Sequence, residues 1–131
     1  MWQGKDECFM PPAEDAQLLL RLVQRHLLAM ELNLSPRYPE EEWGFQAQQA
    51  LEKLHKATIV LSNSQAPRSH DLQTLARDAG VCLTGELLQL QMFAVEARYE
   101  EGPFTLPASR EHLLAELESM LAGLKNEISQ V

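Results

Sequence analysis

The stretch from Trp43 to Leu61 constrains the fold more than any other part of the chain. Trp43, Ala47, Ala50, Leu51, Leu54, Ala57 and Leu61 recur at spacings of three and four, so a helix gathers them on one side. The alanines among them let a neighbouring helix approach closely. The other side reads Phe45, Gln49, Glu52, Lys53 and Lys56, with Gln48 at its border. Glu52 and Lys56 stand one turn apart in the favourable acid-first order, worth only a few tenths of a kcal/mol. A solvated face needs no more than a mixture of Glu, Lys and Arg. Adjacent glutamines beside a Glu/Lys ladder are a more particular choice, so this face is either solvated surface or one that meets another subunit or ligand.

The same helical period runs through the rest of the chain. A first helix is predicted from Ala13 to Leu32, with Ala16, Leu19, Leu20, Val23, Leu27 and Met30 as its stripe. Leu18, Leu22, Leu28 and Leu32 widen that stripe and imply burial between two neighbours. Pro36 and Pro39 mark a connector, and Glu40, Glu41 and Glu42 suit the positive end of the second helix. After Ser62 to Pro67, Ser69 is the predicted cap of a short third helix that stops at Gly80. Thr84 caps a fourth helix running unbroken to Tyr99, and Ser109 a last one with Leu113, Leu114, Leu117, Met120, Leu121, Leu124 and Ile128. No period-2 run of β-branched residues occurs. The expected fold is all-α, an antiparallel bundle of four to five helices.

With 131 residues and 45% hydrophobic content, the chain reads as one domain with its own core, residues 1–12 being a flexible N-terminal segment. The net charge of -8 disfavours non-specific nucleic-acid binding. Cys8 and Cys82 lack metal-ligand spacing and read as free thiols of a cytoplasmic protein. No signal-peptide pattern or membrane-spanning run is present in the sequence.

Chemistry-bearing residues are sparse. His55 sits beside Lys56 and reads as a solvated histidine, and His112 as an exposed one. Without His-x-x-x-His or a cysteine pair, neither a metal nor another cofactor is expected. Arg68-Ser-His-Asp71 sets a cation, an imidazole and a carboxylate at a helix start, and Arg98-Tyr99 closes the fourth helix. A short third helix followed by an antiparallel fourth should bring His70 and Asp71 close to Arg98 and Tyr99.

Gln48 to Ala57, then His70-Asp-Leu72, then Ala94-Val-Glu-Ala-Arg-Tyr99 resemble, in order and separation, three signature segments of small prokaryotic HEPN-domain proteins. The resemblance covers residues 13 to 128. It implies a helical bundle, usually a homodimer, that in many members works with a minimal nucleotidyltransferase as a toxin–antitoxin or nucleotide-binding pair. Some members are metal-independent ribonucleases that use an arginine and a histidine on a helix near the dimer seam. Arg21 and His26 have the nominal spacing but lie in the first helix, with side chains roughly 140° apart. Arg110 and His112 are too close in sequence, and Glu100 stands where the family usually has proline. The resemblance thus implies a non-catalytic domain that dimerises and binds a nucleotidyltransferase or a nucleotide. The candidate groove residues are Gln49, Glu52, Lys53, Lys56, Arg68, His70, Asp71, Arg98 and Tyr99. The alternatives are a ribonuclease toxin acting on RNA from the same groove, and a pure assembly module.

Overall fold

Two long helices frame the molecule. The computed structural model describes residues 12–62, 65, 67–94 and 96–129, without the side chains of residues 12, 13 and 98. The expected N-terminal segment, except for its last residue, and Cys8 lie outside the described residues. Helix α1 (Pro12–Leu32) packs along α2 (Glu40–Leu61). The two run antiparallel: Trp43 Nε1, at the start of α2, donates to the Met30 carbonyl at 3.0 Å, while the earlier His26 meets Gln46 and Lys53 further along α2. Helix α6 (Arg110–Ser129) lies against both. Its first residue grips the α1–α2 connector, and its end, at Lys125 and Ile128, reaches Gln17 and Leu20 of α1. Between α2 and α6 come α3 (Leu72–Ala79), α4 (Gly85–Leu88), a 3-10 helix (Gln89–Phe93) and α5 (Glu96–Tyr99). Among the described residues there is no strand, so the chain is an all-α bundle, and no helix is long and apolar enough to cross a membrane.

The core is the stripe predicted for α2. Trp43, Ala47, Ala50, Leu51, Leu54 and Ala57 are all fully buried, against Ala16, Leu20, Val23, Leu27 and Met30 of α1 and Leu113, Leu117, Leu121 and Leu124 of α6. Each large apolar side chain buried this way contributes about 1.5–3 kcal/mol. The outer leucines of α1 behave differently from expectation. Leu18, Leu28 and Leu32 are 40%, 53% and 73% exposed, because α2 and α6 cover only one side of α1.

The third helix starts two residues later than predicted. Its cap is Asp71, whose carboxylate accepts from the Thr74 N–H, while Ser69 Oγ instead accepts from the Asp71 N–H. Gly80 ends it in the left-handed conformation at φ 73°, as expected.

The predicted unbroken fourth helix is in fact three pieces, and the reason lies in a spacing of three. Leu87, Leu90 and Phe93 are all buried. The 3-10 helix, with three residues per turn, sets Leu90 and Phe93 on one line, with Leu87 carried by α4 just before it. The tighter winding lays the Phe93 ring directly on Gly44 of α2. A Cβ added at Gly44 would lie 2.5 to 2.7 Å from three ring carbons. Gly44→Ala should therefore cost about 1–2 kcal/mol net, overpacking outweighing the better helix propensity of alanine. Urea unfolding checks this, and the loss should shrink in a Phe93→Leu background. A gain in stability would mean the ring moves aside freely.

Candidate polar site on the second helix

The face of α2 away from the core stripe is not a solvated surface. Gln48 and Glu52 are buried, and Gln49, Lys53 and Lys56 are half-buried. Antiparallel packing brings His26 of α1 over this face, and the segment before α3 brings His70 to its far end.

These side chains form one continuous hydrogen-bonded chain. His26 Nδ1 lies 2.7 Å from Gln46 Oε1, and Lys53 Nζ lies 3.2 Å from His26 Nε2. Lysine can only donate, so Nε2 accepts and the proton sits on Nδ1, a tautomer assigned from its partners. Lys53 also donates to Gln49 Oε1 at 3.1 Å. Gln49 Nε2 donates to Gln48 Oε1 at 2.8 Å, and Gln48 Nε2 to Glu52 Oε1 at 3.1 Å. The other carboxylate oxygen of Glu52 takes Lys56 Nζ at 3.2 Å and His70 Nδ1 at 2.8 Å.

Charge is unevenly answered along this chain. Burial alone would raise the Glu52 carboxyl, but hydrogen bonds from His70, Gln48 and Lys56 together hold it below its ordinary range. Burial lowers the Lys53 ammonium, with Glu52 opposing and Lys56 adding to the shift. Burial also lowers His26, which Lys53 reinforces against the Gln46 hydrogen bond. The consequence is specific to Lys53. Its two hydrogen-bond acceptors, His26 and Gln49, are neutral, and it has no ion-pair partner among the described residues. One of its three N–H donors is left for a further acceptor.

Five of the predicted residues thus converge: Gln49, Glu52, Lys53, Lys56 and His70. Others do not join them. Asp71 is exposed and turned to Thr74, whose backbone N–H and hydroxyl it binds at 2.9 and 2.7 Å, contacts that lower its carboxyl. Arg68 is exposed on the loop before α3, and Tyr99 on α5 is 76% exposed. The side chain of Arg98 lies outside the described residues, and with it the expected meeting of Arg98 and His70.

Two members were missed, His26 and Gln46, while Gln48, read at the border of this face, is a full member of the chain. Gln46 stands three residues before Gln49 on α2, but His26 is recognisable only once α1 is laid on α2. His55 is a further correction. It is fully buried, not solvated, with neither ring nitrogen hydrogen-bonded among the described residues, and burial pushes it down to about 4. It follows Leu51 by one turn and precedes Ile59 by another, so it belongs to the edge of the apolar stripe. Arg21 and His26 face different neighbours, Arg21 lining a groove with Lys125 of α6 and His26 meeting α2. Comparison with protein-family models, with curated proteins and with solved structures found no match to this chain.

Proposed function

We propose that this chain is a non-catalytic HEPN-type helical domain that dimerises and binds a partner nucleotidyltransferase or a nucleotide through the polar face of α2. The observation that carries the reading is Lys53, a half-buried ammonium resting on neutral acceptors with a donor to spare. An arrangement built only for stability would place a carboxylate there, as Glu52 is placed against Lys56. A phosphate oxygen would supply the missing charge. His70, whose side chain is 73% exposed, stands at the open end of the same chain. Dimerisation is supported by the exposed leucines of α1, which one small bundle leaves uncovered. Against the ribonuclease alternative, the contacts of His26 and His70 among the described residues are with Gln46, Lys53 and Glu52 and not with an arginine, and Arg21, which has the nominal spacing to His26, points to the α1–α6 groove.

Titration with ATP as the probe tests the binding reading. The wild-type chain should bind saturably, and Lys53→Ala should weaken binding about 10-fold or more, the worth of one charge-assisted hydrogen bond. Melting temperature should change little, and Lys53→Arg should restore part of the affinity. Equal binding by wild type and Lys53→Ala would remove the polar chain as the site. Metal-free cleavage of RNA would favour the enzyme. Sedimentation should show a dimer, dissociated by Leu28→Glu, and a stable interface of this kind should bury more than ~1,000 Å² in total. A monomer at tens of micromolar would end that part of the proposal.

A further inference from the structure

Away from the polar face of α2, Glu86 of α4 and His112 and Glu116 of α6 bring three metal-ligating atoms together. The Nε2 atom of His112 lies 3.2 Å from Glu86 Oε1 and 3.2 Å from Glu116 Oε1, and all three atoms fall within 4.8 Å of one another. His112 and Glu116 share one face of α6 at a spacing of four, while Ser109, whose Oγ accepts from the His112 N–H, holds the first turn. The residue Thr84, capping α4 through the Leu87 N–H, fixes the turn that carries Glu86.

Both short contacts have ion-pair distance, but they differ in alignment. The contact between His112 Nε2 and Glu86 is aligned as a hydrogen bond. The equally short contact to Glu116 is not: Glu116 Oε1 is shut off from solvent and has no hydrogen-bond partner among the described residues. Its ion-pair partner is the same His112 Nε2, so two carboxylates converge on one imidazole nitrogen. Ligands about 2.0–2.1 Å from a tetrahedral ion are separated by roughly 3.3 Å, close to both short separations here.

We infer that Glu86, His112 and Glu116 form a binding site for one divalent transition-metal ion of the Zn2+ class, which ties α4 to the first turn of α6. One imidazole and two carboxylates suit such an ion, whereas Mg2+ and Ca2+ favour all-oxygen sets. Three protein ligands leave a further coordination position open. This site is independent of the α2 polar face and of the function proposed for it.

Calorimetric titration with Zn2+ alone, on the full chain, tests the inference. The expected result is saturable one-to-one uptake with a rise in melting temperature. Loss of an outer-shell partner already weakens metal sites by about 10–100-fold, so His112→Ala, Glu86→Gln and Glu116→Gln should each weaken uptake at least that much. Glu40→Gln with Glu42→Gln, which removes two carboxylates elsewhere, should leave it unchanged. If a variant fails to fold, the imidazole resonances of the wild-type chain give the same answer, because those of His112 should shift with Zn2+ while those of His55 stay in place. No saturable uptake, uptake unaffected by all three ligand substitutions, or an unmoved His112 resonance would each overturn the assignment.

Discussion

Arg110→Ala should cost on the order of 3–5 kcal/mol, comparable to truncating a core leucine. Arg110 is the first residue of α6 and is only 8% exposed. Its guanidinium donates from Nη1 to the carbonyls of Asn33 at 2.9 Å and Ser35 at 2.8 Å, and from Nη2 to that of Tyr38. It also sits 5.8 Å from the centre of the Trp43 ring. One side chain thus satisfies three carbonyls of the connector between α1 and α2 while packing on the largest residue of the core. Removing it leaves those carbonyls without their donor and uncovers the ring. Arg110→Lys should recover only part of the loss, since a compact ammonium lacks the planar fork that reaches three acceptors at once. Chemical denaturation of the three proteins measures this. A loss under about 1 kcal/mol for Arg110→Ala would mean that water replaces the guanidinium without penalty.

Arg110 also shows where reading the sequence stops. The apolar stripes of α2 and α6 were legible because helical period alone decides which residues share a face. The same holds for the stop at Gly80 and the cap at Thr84, which depend on backbone geometry within a few residues. Arg110 acts on carbonyls more than seventy positions earlier in the chain, and backbone acceptors leave no mark in side-chain pattern. The polar chain on α2 was half legible for the same reason. Glu52, Lys53 and Lys56 announce themselves by spacing and His70 by its place beside a helix start, whereas His26 joins them only after α1 has folded onto α2. The exposed leucines of α1 are the converse case. Periodicity placed them beside the core stripe, but it carries no information on how many neighbours are present to cover them. The broken fourth helix had a local signal in the three-residue spacing of Leu87, Leu90 and Phe93, which a search for a 3.6-residue period passes over.

Stability should fall by about 3 kcal/mol as pH drops from about 6.5 to about 4, and His55 should account for most of it. Burial holds this imidazole at about 4, against an ordinary value of 6.5. Between those values the unfolded chain binds a proton at His55 that the folded chain does not. Acid therefore favours the unfolded state throughout the window, at about 1.4 kcal/mol per pH unit once His55 is protonated in the unfolded chain. Below about 4 the folded form takes up the proton too, and this contribution levels off. His26, also lowered by burial, adds to the loss in the same direction. Glu52 acts in a different window: its carboxyl is held low in the folded state, so its contribution is intact above about 4.5 and lost only as pH falls further. Those windows make the residues separable. His55→Leu should flatten the slope between 6.5 and 4 while leaving the steeper loss in more acid solution untouched. It should also raise stability at pH 7 by about 1–3 kcal/mol, since a similar volume fills the site without two buried ring nitrogens. Urea unfolding across this pH range, on both proteins, decides the matter. An equal slope in His55→Leu would place the titration elsewhere, and a flat wild-type profile would mean that His55 is solvated after all.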